Sequence, residues 1–331
     1  MADLLQVRHL SIEYAAARGV VRAVDDVTFS IGKGEIFGLA GESGCGKSTT
    51  AFGVSRLLRH PARIAGGSVQ LDGTELTTLS NEEFDRLRWS KISIVLQSAM
   101  NNLNPVLKIC DQLTDAILAH EPHAGKEVRQ RAEQLMRLVD LPVDRLDSYP
   151  HELSGGMRQR VVIAMALALQ PSLVIMDEPT TALDVVVQNG IIRKIMELQK
   201  KFGFSILFIT HDLPLMLEMC DRIGIMYAGK LVEVTSREQI LQKPRHPYTQ
   251  GLLNSFPSLS GPKQRLSGIP GHTPDLIRPP AGCRFCPRCS QALALCETQQ
   301  PMLMQDEKGQ IACHLYSEEG LSREQASAAC E

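Results

Sequence analysis

Glu35-Ile-Phe-Gly-Leu-Ala-Gly41-Glu-Ser-Gly-Cys-Gly-Lys47-Ser48 is a short apolar run that breaks into a glycine-rich turn. From Lys47 the residue pattern becomes helical. The turn has the spacing G-x-x-x-x-G-K-[ST] and lies between a predicted strand and a predicted helix, the context in which that spacing cradles phosphate. Glycines let the backbone fold tightly enough for its N–H groups to surround a β-phosphate. The lysine adds a point charge on the β- and γ-phosphates, the serine hydroxyl can ligate Mg²⁺, and the helix N-terminus adds its dipole. Gly41, Glu42, Ser43, Gly44, Cys45, Gly46, Lys47, Ser48 and Thr49 are therefore candidate phosphate-binding residues.

Working outward, residues 4–13 and 20–31 read as strands, and 59–90 as a polar, loop-rich stretch. A strand is predicted at Ile92–Leu96, then helices over about 109–120 and 126–139. Ser154-Gly155-Gly156 opens a helix that is apolar on most faces and so is expected to be buried. A buried strand (Leu173–Met176), an amphipathic helix (about 184–202), a second buried strand (Ser205–Ile209) and a helix from about 212 follow. Continuously apolar strands alternating with helices predict an α/β core with a mostly parallel sheet covered on both faces. Near residue 243 the composition changes, with Pro244, Pro247, Pro257, Pro262, Pro270, Pro274, Pro279, Pro280 and Pro287 in close succession. Proline at that density interrupts helices and central strands, which predicts an irregular tail over 243–331 beside a domain of residues 1–242.

The composition limits the function classes. The 331 residues are 44% hydrophobic and 22% charged, ordinary for a globular protein and unlike a disordered, collagenous or coiled-coil chain. The formal charge of −2, from 35 basic and 37 acidic residues, argues against wholesale binding to nucleic acid or anionic lipid. The longest apolar run, Val161 to Leu169, is far shorter than the roughly 20 residues of a membrane helix. The N-terminal residues lack a basic start leading into an apolar stretch, so secretion by a signal peptide is not expected. Of the nine cysteines, Cys283, Cys286, Cys289, Cys296 and Cys313 crowd into the tail, which in such a chain suggests a metal or cluster site before disulfides.

Leu173-Val-Ile-Met-Asp177-Glu178 is an apolar strand ending in two acids. Asp177 at the strand's C-terminal end can hold Mg²⁺ through water, and Glu178 is placed to polarise an attacking water as general base. Taken alone, an Asp-Glu pair after a strand is usually a solvated turn. Downstream of a phosphate-binding loop, the catalytic reading prevails.

At this point the residues carry a resemblance. Leu153-Ser154-Gly155-Gly156-Met157 resembles the signature sequence of ATP-binding cassette (ABC) ATPases, and it stands in that family's order of phosphate loop, signature and acidic strand. Gln97 resembles the family's Q-loop glutamine, and Thr181-Ala182-Leu183-Asp184 its D-loop. His211 is similar to the switch histidine, and Tyr14 sits where the family keeps an aromatic that stacks on adenine. The resemblance spans about 4–242. It implies a P-loop NTPase cassette with a RecA-like core, an antiparallel β subdomain and a helical subdomain. It also implies ATP and Mg²⁺ as ligands, with Glu178, His211 and Gln97 in the catalytic set and Ser48, Gln97 and Asp177 around Mg²⁺. Ser154, Gly155, Gly156 and Asp184 would close on ATP held by a partner cassette, since a Ser-Gly-Gly turn opening a helix is a second anion-binding N-terminus. The plain alternative for Ser154 is a helix N-cap, and both roles are compatible.

The tail narrows the resemblance. Arg245-His-Pro-Tyr-Thr-Gln-Gly-Leu-Leu253, Ile269-Pro-Gly271 and Gly282-Cys-Arg-Phe285 resemble the C-terminal extension of oligopeptide/dipeptide importer ATPases, a subfamily that also handles nickel and some oligosaccharides. Cys283-x5-Cys289-x6-Cys296-x16-Cys313 matches the subfamily's cysteine pattern. Some members carry a [4Fe–4S] cluster there. The four thiolates suit an iron–sulfur cluster or a tetrahedral zinc, and Cys286 allows another ligand set. Cys45, Cys110, Cys220 and Cys330 are read as ordinary thiols, Cys45 with possible sensitivity to alkylation. Ser98-Ala-Met-Asn-Asn-Leu-Asn-Pro105 is similar to some oligosaccharide-handling members, a weak lineage hint.

The resemblance implies an ATPase subunit of a bacterial importer, peripheral on the cytoplasmic face of the inner membrane. Its implied partners are a second cassette, favouring a heterodimer, two permeases and an extracytoplasmic binding protein, with no nucleic acid. A soluble ABC ATPase without a permease is the competing class. Such proteins usually carry coiled-coil insertions or two fused cassettes, and neither is visible here.

Overall fold

The computed structural model describes residues 3–97, 102–125, 127–181, 183–255 and 268–317. The chain begins with β1 (Asp3–Ala16), β2 (Gly19–Gly32), β3 (Ile36–Ala40), α1 (Lys47–Val54), β4 (Ala62–Leu71), β5 (Thr74–Glu75), α2 (Asn81–Leu87) and β6 (Ile92–Val95). It continues through α3 (Ile109–Leu118), α4 (Glu127–Leu138), α5 (Gly155–Ala166), β7 (Leu173–Asp177), α6 (Val185–Phe202), β8 (Ser205–Ile209) and α7 (Leu213–Met219). The remainder is β9 (Arg222–Tyr227), β10 (Lys230–Ser236), α8 (Arg237–Gln242), α9 (Pro247–Asn254), α10 (Leu295–Thr298), β11 (Met304–Asp306) and β12 (Gly309–Ile311). Two compact units result, one from Met1–Leu5, Ser30–Ile36 and Gln70–Ile209, the other from Gln6–Phe29, Phe37–Val69 and Thr210–Glu331.

In the first unit, β7 and β8 are buried along their whole length, which is why both read as continuous apolar runs. β7 pairs in parallel with β6 and with β8, bringing Val95, Met176 and Phe208 side by side. Gln97 and Glu178 therefore follow the carboxyl ends of neighbouring parallel strands, the end at which open α/β sheets bind ligands. Helix starts are fixed by side-chain caps. Ser154 Oγ accepts the Met157 N–H at the start of α5, and Asp184 Oδ1 accepts the Val187 N–H at the start of α6. Gly203 ends α6 in the left-handed conformation, φ 71°.

In the second unit, β3 pairs in parallel with β9, and β9 pairs antiparallel with β10. The tail then adds to this sheet, with β12 antiparallel to β10 (Glu233 opposite Ile311) and β11 antiparallel to β12. β2, β1 and β4 lie side by side in a separate sheet. Among the described residues no helix is long and apolar enough to cross a membrane.

Two expectations need correction. The stretch 59–90, read as loop-rich, holds β4, β5 and α2. Gly66-Gly67 and an exposed first half of β4 hide the alternation that marks a strand, while α2 is set by a reciprocal capping box between Ser80 and Glu83. The tail, read as irregular, covers a sheet edge with β12. The prolines cluster between Pro244 and Pro287, and the segment from Met304 to Ile311 contains none and turns at Glu307-Lys308.

Candidate functional site

The second unit carries the phosphate-loop residues on the turn from β3 to α1. Gly41, Gly44 and Gly46 have φ of 147°, 78° and 109°, so the loop uses the conformations that glycine supplies without a steric penalty. A Cβ at Gly41 would stand 2.2 Å from the Met226 carbonyl oxygen, and one at Gly46 2.3 Å from that of Ala23. The Lys47 side chain is buried, and its Nζ donates to the Gly41 and Glu42 carbonyls at 2.8 and 3.0 Å. The ammonium thus lies inside the loop. α1 has no side-chain cap at Gly46, so its N-terminal dipole faces the loop uncapped. Tyr14 Oη lies 3.3 Å from Thr49 Oγ1, tethering the ring to the first turn of α1. Ser48 is half-buried, and His211 is exposed two residues past the end of β8.

Glu42 is held from the tail as well. Its N–H donates to Tyr248 Oη at 2.9 Å, and its carboxylate takes a two-pronged ion pair from Arg288 at 2.7 and 2.9 Å. Tyr248 sits in an aromatic cluster with Tyr227 and Phe285, at centroid distances of 4.6 and 5.3 Å. His246 packs on the same Phe285 at 5.7 Å. Sequence reasoning missed Tyr248 and Arg288 as site residues. Both fell within stretches it singled out, but no local spacing points from them to the loop.

The first unit carries the acids. Asp177 ends β7 and is buried; Glu178 follows in a left-handed backbone conformation, φ 48°, with its N–H donating to the Ile209 carbonyl at 2.8 Å. Glu178 Oε2 accepts from Gln97 Nε2 at 2.8 Å and from Thr181 Oγ1 at 2.9 Å. The structure thus brings Gln97 onto the candidate base, with Thr181, read from the sequence only as part of the D-loop resemblance, as a second donor. Ser154 and Asp184 are exposed and act as helix caps, while Gly155 and Gly156 open α5. Ala182 of the D-loop and Ser98–Asn101 after the Q-loop glutamine lie outside the described residues.

The cysteines depart from expectation. No group of three or more His, Cys, Asp or Glu among the described residues is placed to hold a metal ion, so Cys283, Cys289, Cys296 and Cys313 do not converge on a single zinc. All four are free thiols. Burial pushes the Cys283 thiol up to about 11, with the charges of Cys296 and Cys289 adding to the shift. Burial likewise raises Cys313 to about 12, where Cys283, Cys289 and Cys296 add to it. Cys45, Cys110 and Cys220 are buried, as bystanders would be, and Cys330 lies outside the described residues. The expected alkylation of Cys45 is not favoured, because burial raises its thiol and hides it from solvent.

Comparison with known proteins agrees with this geometry. Residues 24–181 match the ABC transporter family, and 232–296 match the oligopeptide/dipeptide transporter C-terminal region. The oligopeptide transport ATP-binding protein AppD of Bacillus subtilis is 42% identical over 97% of this chain and 99% of its own length. The chain belongs to the ABC transporter ATP-binding family. As an ABC ATPase it binds and hydrolyses ATP with Mg²⁺. The dipeptide transport ATP-binding protein DppD of Haemophilus influenzae is 40% identical over 94% of this ABC ATPase and 95% of its own length. Among solved structures, the ATP-binding cassette MJ0796, in a dimeric post-hydrolysis state bound to ADP and Pi, matches with a TM-score of 0.63. It is 27% identical, over 70% of this chain and 98% of that one.

Proposed function

We propose that this ABC ATPase powers the import of peptides through partner permeases. The observation that carries the reading is the similarity to an oligopeptide transport ATP-binding protein along 97% of the chain, extension included. Nickel and oligosaccharides, and a soluble ATPase without a permease, are not favoured by any of these relatives. With no helix among the described residues able to span a bilayer, attachment is read as peripheral, on the cytoplasmic face of a bacterial inner membrane.

In the proposed cycle, Lys47 and the amides of Gly41–Ser48 hold the β- and γ-phosphates, and Tyr14 stacks on adenine. Ser48, Gln97 and Asp177 are the residues that would hold Mg²⁺. Hydroxyl, amide and carboxylate oxygens suit a hard cation, and Gln97 bonds Glu178 through its nitrogen, leaving the amide oxygen outside that bond. The chemistry Mg²⁺ would supply there is to offset the negative charge that develops on the phosphates. Glu178 takes a proton from a water as the water oxygen bonds the γ-phosphorus and the bond to the β–γ bridging oxygen breaks. His211 steadies the γ-phosphate and the attacking water.

Ser154, Gly155, Gly156 and Asp184 are assigned to ATP on a second cassette, in a heterodimer that sits under two permeases fed by an extracytoplasmic binding protein. The dimeric MJ0796 cassettes support pairing of this kind. We read 1–242 as the cassette, with the family's antiparallel β and helical subdomains, and 243–331 as the extension. A [4Fe–4S] cluster on Cys283, Cys289, Cys296 and Cys313 is read from the crowding of these cysteines in the extension and from the resemblance of their spacing to the subfamily's pattern. Such a cluster holds its cysteines farther apart than one zinc ion does, and no step of the cycle runs through it. Iron content and broad absorption near 400 nm (a region typical of such clusters) in anaerobically purified protein test that assignment.

The function is tested by reconstituting the chain with its permeases in vesicles and measuring ATP-dependent uptake of labelled peptides, nickel and oligosaccharides. Uptake of peptides alone is expected. Uptake of another class, or ATP hydrolysis with no transport of any, contradicts the proposal.

A further inference from the structure

Glu42 poses an electrostatic problem. It is a carboxylate inside the loop assigned to bind polyphosphate, where an uncompensated negative charge repels the ligand. Arg288, 246 positions along the chain, lies across it. Its Nη1 donates to Glu42 Oε2 at 2.7 Å and its Nη2 to Oε1 at 2.9 Å, the fork geometry in which a guanidinium meets a carboxylate most strongly. The remaining donors are also engaged. Nε donates to the Pro270 carbonyl at 2.9 Å, Nη2 to the Ile269 carbonyl at 3.2 Å, and Nη1 to Tyr227 Oη at 3.3 Å. All five N–H donors of the guanidinium are therefore used. The guanidinium also lies 5.7 Å from the Tyr227 ring centroid.

The pair is sheltered, with the Arg288 side chain 5% exposed and the Glu42 side chain 29%. Burial at that level makes the pairing stronger than an exposed surface bridge and raises the penalty for removing one partner. Glu42 is also fixed at its backbone, where the N–H is bound by Tyr248 Oη and the carbonyl by Lys47 Nζ. Among the described residues, Arg288 is the charged partner of the carboxylate and fixes its direction. The same peptide unit touches the lysine of the phosphate loop.

We propose that Arg288 is a positioning residue for ATP binding: it neutralises Glu42 and holds that carboxylate aside, so that the loop receives polyphosphate without a competing negative charge. The inference rests on the assignment of Gly41–Ser48 to the phosphates. It gives the extension a direct part in nucleotide affinity, through a contact that the catalytic acids do not share.

The test is equilibrium binding of a fluorescent ATP analogue to the full-length chain, with KM and kcat for ATP measured on the transporter complex. Arg288→Gln is expected to weaken binding about tenfold and to raise KM while leaving kcat near wild type. Arg288→Lys, which keeps the charge, is expected to recover most of the affinity. Adding Glu42→Gln to Arg288→Gln removes the stranded carboxylate and is expected to restore binding to within about threefold of wild type. A merely structural role predicts no such rescue. Should Arg288→Gln not fold, Glu42 carries the test with Arg288 intact. Glu42→Asp keeps the charge but shortens its reach and is expected to weaken binding more than Glu42→Gln, which removes the charge. Wild-type affinity in Arg288→Gln, a double variant no better than the single, or equal affinities for Glu42→Asp and Glu42→Gln would overturn the proposal. Lys47→Ala serves as control. If it binds nucleotide like wild type, the loop assignment fails rather than the role of Arg288.

Discussion

Gln97 Nε2 donates to Glu178 Oε2 at 2.8 Å, across residues that follow two adjacent parallel strands. Thr181 Oγ1 donates to the same oxygen at 2.9 Å, so two donors fix the direction of a carboxylate whose own backbone is left-handed, φ 48°. Holding a non-glycine residue there costs on the order of 1–3 kcal/mol and persists only where the surroundings impose it. Removing Gln97 frees the carboxylate to turn. Gln97→Ala is expected to lower kcat for ATP hydrolysis by on the order of tenfold or more, with a smaller change in KM. Steady-state kinetics at saturating ATP measure this, and an unchanged kcat would show that the contact does not serve the reaction.

The glycines of the phosphate loop are not equivalent. Gly44 has φ 78° but open space around a built Cβ, so Gly44→Ala is expected to cost only the left-handed penalty, about 1–2 kcal/mol. Gly46→Ala meets the Ala23 carbonyl oxygen at 2.3 Å and carries its own backbone strain at φ 109°. The expected cost is about 3 kcal/mol or more, with loss of nucleotide binding. Thermal denaturation of the two variants should rank them in that order; equal losses would contradict the packing.

Acid sensitivity is expected from His246. Burial lowers its pKa from 6.5 to about 3, and its Nδ1 accepts the Tyr248 N–H at 3.0 Å, which requires an unprotonated nitrogen. Between those two values the unfolded chain binds the proton and the folded chain does not, so stability is present above about 6.5 and is lost as pH falls toward 3. The slope contributed by this one group is at most about 1.4 kcal/mol per pH unit. His246→Asn keeps a capping acceptor without the titration. Its melting temperature should therefore fall less than the wild type's between pH 7 and pH 5. An identical fall would remove His246 from the account.

Where a local structure is set by spacing, the sequence was readable. Lys47, Asp177, Glu178 and Ser154 each announce themselves by neighbours within a few residues, because a phosphate loop, a strand end and a helix cap are all short-range structures. β4 escaped notice because Gly66-Gly67 interrupts its alternation, and the edge pairing of Glu233 with Ile311 escaped because register between distant segments leaves no local mark. The grip of Arg288 on Glu42 is invisible for the same reason: residues 246 positions apart share only a tertiary contact. The cysteine spacing pointed to a site whose thiols do not converge on one ion, since spacing along a chain constrains ligand identity but not closure.

The central claim is that Glu178 is the base for ATP hydrolysis. It is tested most directly by ATP binding and steady-state turnover of Glu178→Gln beside wild type, both in complex with the permeases. The account predicts retained nucleotide affinity and a turnover reduced by about 10²-fold or more, with the ATP-bound form accumulating. Near-normal turnover in Glu178→Gln would contradict it.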